Sequence, residues 1–228
     1  MSKFRNSTKR RKRLFAKRLL RWHEKNKRDF PWRRTTNPYK ILLAEQMLRK
    51  TTAKQVEEIF EAFVSKFDTP EKLKRGSSAE IRKIIRPLGL EHGRTVLLKK
   101  MATALVKNHQ GEVPRSREEL LELPGVGEYT ASGVMCLAYG EDVPMIDRNV
   151  IRIAQRIFSI SCRGESRTIR EIATFLRDAM LEGKSKQINL AMLDFAAKVC
   201  KAQRPSCSSC FLSDICEHKG SSTRKSRL

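Results

Sequence analysis

The stretch Leu123-Pro-Gly-Val-Gly127 constrains this chain more tightly than any other, because it leaves room for only one local geometry: a tight turn between two helices. Upstream, Ser116 and Glu119 stand at capping-box spacing before Leu120, Leu121 and Leu123, and Pro124 and Gly125 then break that helix. A second helix begins after Gly127. Two glycines let the backbone approach a partner closely, and the unpaired N–H groups at the new helix start form an anion site. Leu123, Gly125, Val126 and Gly127 are therefore candidate phosphate-binding residues. A turn with no ligand has the same sequence, so both readings stand on the turn alone.

Charge favours the first. The chain has 228 residues, with 48 Lys and Arg against 25 Asp and Glu, a formal net charge of +23. So large an imbalance is costly in self-repulsion unless a polyanion meets it, which points to nucleic acid over a merely solvated basic surface. No apolar run is long enough to span a membrane, and the basic, polar N-terminus lacks a signal-peptide core. A soluble intracellular protein, cytoplasmic and nucleoid-associated, is the expectation.

Along the chain, apolar residues recur at helical spacing and nowhere alternate as in a sustained strand, so the predicted class is all-α. Residues 1–13 carry seven Lys or Arg and read as a mobile basic arm, for phosphates or for localisation. A helix is expected from Leu14 to about Asn26, with Leu14, Phe15, Leu19 and Trp22 inward. Others are expected from about Pro38, from Thr52 to Phe67, from a Ser78 cap to Gly89, and from Gly93 to Asn108. Beyond Asp147 a helix carries Val150, Ile151, Ile157 and Phe158; a polar loop over 163–167 and helices over 168–181 and 186–200 follow. The tail, 220–228, reads as disordered.

Six cysteines divide unevenly. Cys200, Cys207, Cys210 and Cys216 fall within seventeen residues as C-x6-C-x2-C-x5-C, while Cys136 and Cys162 stand apart. Four thiolates so close can surround one metal centre, and the spacing alone leaves structural zinc and an iron-sulfur cluster equally open. Disulfides are not expected inside a cell. Cys136, among apolar residues, reads as a small buried side chain.

Two carboxylates stand out. Glu45 is a single acid among Ile41, Leu42, Met47 and Leu48, which by itself reads as a helix residue facing solvent or a partner charge. Asp147 precedes a helix, where an N-cap is the plain alternative to chemistry.

Taken together, LPGVGEYTA followed eighteen residues after Tyr129 by Asp147 in MIDRNV, with FPWR, PY and the E-x-x-L-x-x-T pattern upstream, resembles the helix-hairpin-helix DNA glycosylases related to endonuclease III and MutY. Within them the likeness is to the archaeal-type thymine/guanine mismatch glycosylases, and it extends from about Trp22 to Cys216. The resemblance implies a two-domain fold: a six-helix block over 37–144, inserted into a second domain built from 14–36 and 145–219, with the substrate base entering between them. It also implies a [4Fe-4S] cluster on the four clustered cysteines, holding a basic loop with Lys201, Arg204 and Lys219 against DNA.

The same resemblance assigns roles. Asp147 is the expected catalytic carboxylate; Glu45 faces the base pocket and donates to the leaving base if burial raises its pKa. Tyr129 occupies the position where the lyases of the family carry lysine. A phenol forms no imine, so a monofunctional enzyme is expected, although a tyrosine packed between domains would look the same. Asn149 would position water or backbone; Arg49 and Lys50 would wedge the duplex or contact the widowed guanine, unless they are ordinary solvent-facing charges. The expected function is excision of thymine or uracil opposite guanine from double-stranded DNA, by a monomer. Adenine removal opposite guanine or 8-oxoguanine is the nearest rival, disfavoured because the chain ends soon after the cysteines. A non-catalytic iron-sulfur DNA-binding protein is the second.

Overall fold

The computed structural model describes residues 2–160, 165–179 and 183–218, and every regular element among them is helical. Besides two 3-10 turns, Pro31–Arg33 and Arg86–Leu88, the α-helices in chain order are α1 (Ser2–Asn26), α2 (Pro38–Met47), α3 (Ala53–Lys66), α4 (Pro70–Arg75), α5 (Ser78–Ile85) and α6 (Glu91–Asn108). Then come α7 (Arg117–Glu122), α8 (Glu128–Leu137), α9 (Arg148–Phe158), α10 (Glu165–Ala179) and α11 (Ser185–Lys198). No helix among the described residues is long and apolar enough to cross a membrane.

The chain divides into two compact units, one of residues 29–141 and one of 1–28 with 142–228. In the first, α3 shows how sequence becomes structure. Thr52 closes a capping box with Gln55, and Val56, Ile59, Phe60, Phe63 and Phe67 form one buried stripe. Each such side chain contributes about 2 kcal/mol on leaving water. Trp32 meets Phe60 edge to face and stacks on Phe30. In the second unit, Phe15 and Leu19 of α1 pack with Ile153 and Ile157 of α9, Phe175 of α10 and Phe195 of α11.

Several expectations are corrected. Residues 2–13 are not a separate arm: their backbone continues α1. Arg11 donates to the carbonyls of Ile157 and Ile215, and Lys12 pairs with Asp178. These partners lie far along the chain, where no local pattern announces them. Unit 29–141 holds seven α-helices, not six, because Thr69 caps a short one, α4, ahead of Pro70. Ser77, not Ser78, caps α5, and α10 begins at Glu165, inside the segment read as a loop. The boundary falls at 28/29 and 141/142 instead of 36/37 and 144/145. Arg28 is bound to the buried Asp194, whereas Phe30 and Trp32 join the aromatic core around Phe60. Cys162, Lys219 and the tail lie outside the described residues.

Candidate DNA-repair site and cysteine pocket

The hairpin between α7 and α8 is stapled internally. Val126 N–H donates to Leu123 O at 3.0 Å, and Leu123 N–H to Leu120 O at 3.2 Å. Gly125 adopts φ +80°, and a Cβ there would sit 2.7–2.9 Å from three side-chain carbons of Leu97. Its carbonyl accepts from Gln46 Nε2 at 3.0 Å and Arg49 Nη1 at 2.9 Å, tying the turn to the end of α2. Leu123 and Val126 therefore shape the turn with their amides already engaged. The candidate anion donors are the first-turn N–H groups of α8, whose N-cap, Gly127, offers no side-chain cap. Arg117 pairs with Glu128 at that helix start.

Glu45 departs from the plain expectation for a lone helix acid: it is 5% exposed. Gly133 of α8 packs against it: a Cβ there would lie 3.4 Å from the Glu45 carboxyl carbon, in van der Waals contact. Tyr129 sits one turn before Gly133, on the same face of α8, and is half-buried. Unit 29–141 thus brings Glu45 against the helix face that carries the phenol. Cys136 is buried, as its apolar surroundings imply.

Arg49 and Lys50 follow the end of α2 and line a surface cavity with Gln46, Leu90, Glu91, His92, Gly93, Arg94 and Leu97. Lys50 has φ 55° and Leu90 φ 53°, both left-handed, and Leu90 is 67% exposed. Leu90 gives no signal in the sequence beyond following Gly89. Beneath the cavity the buried Arg94 donates to the carbonyls of Gln46 and Met47 at 2.8 and 3.2 Å. Burial, and then the Arg49 cation, pull its guanidinium below the ordinary arginine value.

Asp147, in the other unit, is the N-cap of α9. One carboxylate oxygen accepts from Val150 N–H at 2.8 Å and the other from Asn149 Nδ2 at 2.6 Å. Asn149 Oδ1 accepts from Arg152 Nη1 at 2.9 Å, and Arg152 Nε donates to the Cys200 carbonyl at 3.1 Å. A line of hydrogen bonds therefore runs from the acid to the cysteine loop. Upstream, Asn189 of α11 is 3% exposed; its amide donates to Val143 O and accepts from Met145 N–H, pinning the segment that leads to Asp147. Sequence reading gave no hint of Arg152 or Asn189 in these roles.

Cys200, Cys207, Cys210 and Cys216 line one pocket with Arg156, Ile157, Phe195, Val199 and Leu212. Burial pushes the Cys210 thiol up, and Cys216, Cys200 and Cys207 raise it further, as negative charges gathered in one place would. Such a donor set calls for cationic metal. Zinc in a tetrahedral site would hold the sulfurs about 3.8 Å apart, from Zn–S bonds of about 2.3 Å. Among the described residues no three His, Cys, Asp or Glu are drawn together to hold a single ion. Four thiols lining one pocket supply the donors that either zinc or an iron-sulfur cluster would take. Arg156 fastens the exposed loop beyond Cys200 by donating to the carbonyls of Lys201 and Ala202.

Comparison with known proteins agrees with this geometry. Residues 43–177 match the family model of HhH-GPD superfamily base excision DNA repair proteins, and residues 200–216 match the iron-sulfur binding domain of endonuclease III. The chain is 41% identical over 204 residues to a thymine/uracil-DNA glycosylase of Pyrobaculum aerophilum, covering 88% of this chain and 89% of that protein. It is 35% identical over 213 residues to one of Methanothermobacter thermautotrophicus, covering 93% and 96%. Adenine DNA glycosylases also match: one from Mycobacterium tuberculosis is 34% identical over 84% of this chain and 64% of its own length. The solved structure of a thermostable thymine-DNA glycosylase superposes with a TM-score of 0.89 at 34% identity, covering 94% of this chain and 99% of that one. On its sequence, its fold and its cysteine pocket, the chain belongs to the HhH-GPD superfamily of base excision DNA repair proteins.

Proposed function

We propose that the protein is a monofunctional DNA glycosylase that flips thymine or uracil mispaired with guanine out of double-stranded DNA and excises it, leaving an abasic site. The observation that carries the reaction type is the phenol of Tyr129 on the α8 face beside Glu45, where the lyases of the family would present an amine. Without that amine no imine forms with the sugar, and water is the remaining nucleophile. The thymine and uracil preference is supported by relatives of that name, which match over nearly their whole length.

Breaking an N-glycosidic bond places positive charge on the sugar and negative charge on the departing base. Asp147, held by two hydrogen bonds, supplies a fixed negative charge for the first. Glu45 supplies a hydrogen bond to the second, and Tyr129 lies against the extruded base. The α8 amides grip a phosphate, while Arg49, Lys50 and the exposed Leu90 enter the duplex, Leu90 as an apolar wedge. A mispaired base costs less to extrude, which is itself a source of selectivity.

Cys200, Cys207, Cys210 and Cys216 would hold a [4Fe-4S] cluster. When bound, it would cross-link the loop that presents Lys201 and Arg204, with every ligand position filled by cysteine.

The test is strand scission of labelled duplexes carrying T/G, U/G, A/G, A/8-oxoguanine and matched pairs, with and without hot alkali. Cutting at T or U that depends on alkali is expected. Cutting mainly at A would move the protein to the adenine branch, cutting without alkali would contradict the monofunctional reading, and no cutting would leave a DNA-binding protein.

A further inference from the structure

Arg94 is 8% exposed, and among the described residues none of its hydrogen-bond partners is an acid. A guanidinium buried without a counter-charge is costly, so its donors must achieve something an apolar side chain could not. Their targets are the last turn of α2 with the loop after it, and the loop ahead of α6. Nη1 reaches the carbonyls of Gln46 and Met47, which the end of α2 leaves without helical partners. Nη2 donates to Arg49 O at 3.1 Å and Thr51 Oγ1 at 2.9 Å, and Nε points to Gly89 O at 3.4 Å. One planar group therefore grips residues 46–51 and the residue before Leu90.

Each loop contains a non-glycine residue in the left-handed region, Lys50 and Leu90. Such conformations persist only where the surroundings over-determine them, and Arg94 provides that restraint for both. Arg49, Lys50 and Leu90 also line the same surface cavity.

We propose that Arg94 is a positioning residue that locks loops 48–51 and 89–90 into one rigid probe, so that Arg49, Lys50 and Leu90 meet a base pair already arranged to open it. This rests on the reading of the protein as a base-flipping glycosylase. A loose pair of loops would have to be ordered at each encounter, a cost borne when the base is pushed out; a pre-set pair avoids it. The help is needed most where the target is still held by a partner base.

The experiment compares wild type, Arg94→Met and Arg94→Lys on two duplexes, one with T opposite G and one with T opposite an abasic site. 2-Aminopurine beside the target reports flipping independently of excision, and single-turnover rates report excision. On T/G, Arg94→Met should lower the flipping signal and the rate by about ten- to a hundredfold. Opposite the abasic site, and in affinity for matched duplex, it should differ little from wild type. Arg94→Lys, which keeps the charge without the fork, should fall on the same side and carries the comparison if Arg94→Met folds poorly. Equal losses on both duplexes, or no loss on T/G, would overturn the proposal. If wild type flips the target but excises nothing, the glycosylase reading fails while the flipping comparison still decides the role of Arg94.

Discussion

Asp147 allows a clean separation of structure from chemistry, because its cap role and its proposed catalytic role respond differently to substitution. As the N-cap of α9 it accepts from Val150 N–H, and asparagine or serine caps a helix about as well. Asp147→Asn keeps that bond but turns a donor toward Asn149 Nδ2, and Asn149 cannot flip without releasing Arg152. Losing one hydrogen bond and the charge at a helix start costs about 1–2 kcal/mol at this half-buried position. For a chain of this size, that is a fall in Tm of about 2–8 °C. Loss of the fixed charge facing the sugar should slow excision by about a hundred- to a thousandfold, 3–4 kcal/mol. Asp147→Ser, with the cap kept and the carboxylate gone, should lose a similar factor. The assay is single-turnover excision at saturating enzyme, with thermal unfolding and affinity for T/G duplex measured on the same preparations. Excision at close to the wild-type rate in either variant would reduce Asp147 to a cap and refute the mechanism.

Other perturbations probe the supports. Arg152→Met removes the link between Asn149 and the Cys200 carbonyl, and should slow single-turnover excision by about tenfold with duplex affinity unchanged; an unaltered rate would show that the line of hydrogen bonds does not position the acid. Gly125→Ala forces a Cβ into φ +80° and against Leu97, at a cost of about 2–4 kcal/mol in urea unfolding, with weaker binding to matched duplex; a shift within error would mean the turn is not held as described. Tyr129→Lys should create a borohydride-trappable adduct with mispaired duplex that wild type lacks; trapping by wild type would sink the hydrolytic reading. Cys210→Ser should abolish visible iron-sulfur absorption and make the segment beyond Cys200 sensitive to protease, whereas a protein that keeps its absorption would remove Cys210 from the ligand set.

Much of the chain could be read from local pattern. The stripe of α3, the break at Pro124 and Gly125, and the four close cysteines each declare themselves within a few turns of sequence. What escaped has partners far away. Arg11 reaches Ile215, Arg28 reaches Asp194, and Asn189 reaches Val143, pairings with no periodicity to betray them. The basic composition of residues 2–13 hid their helix, since charge density suggests a mobile tail when apolar markers are missing. The candidate residues were half legible for a similar reason: Asp147, Tyr129 and Glu45 each fall in a motif, but Glu45 is buried against Gly133 of another helix, a contact that no local pattern announces.

Each unit solves the same physical problem in its own way. The residues proposed to meet DNA sit at helix ends, where backbone groups lack helical partners and the chain is easiest to deform. In unit 29–141 the end of α2 is secured by Arg94, which holds carbonyls that would otherwise face the interior unpaired. In the other unit Asn189 secures the approach to α9, and Arg152 fastens its first turn to the cysteine loop. Buried polar groups are expensive when unmatched, so a fully matched one resists displacement more strongly than an apolar contact of similar size. Rigidity is thereby concentrated at Arg49–Lys50 and at Asp147, and in the roles proposed for them a displacement of about 1 Å would cost rate rather than stability.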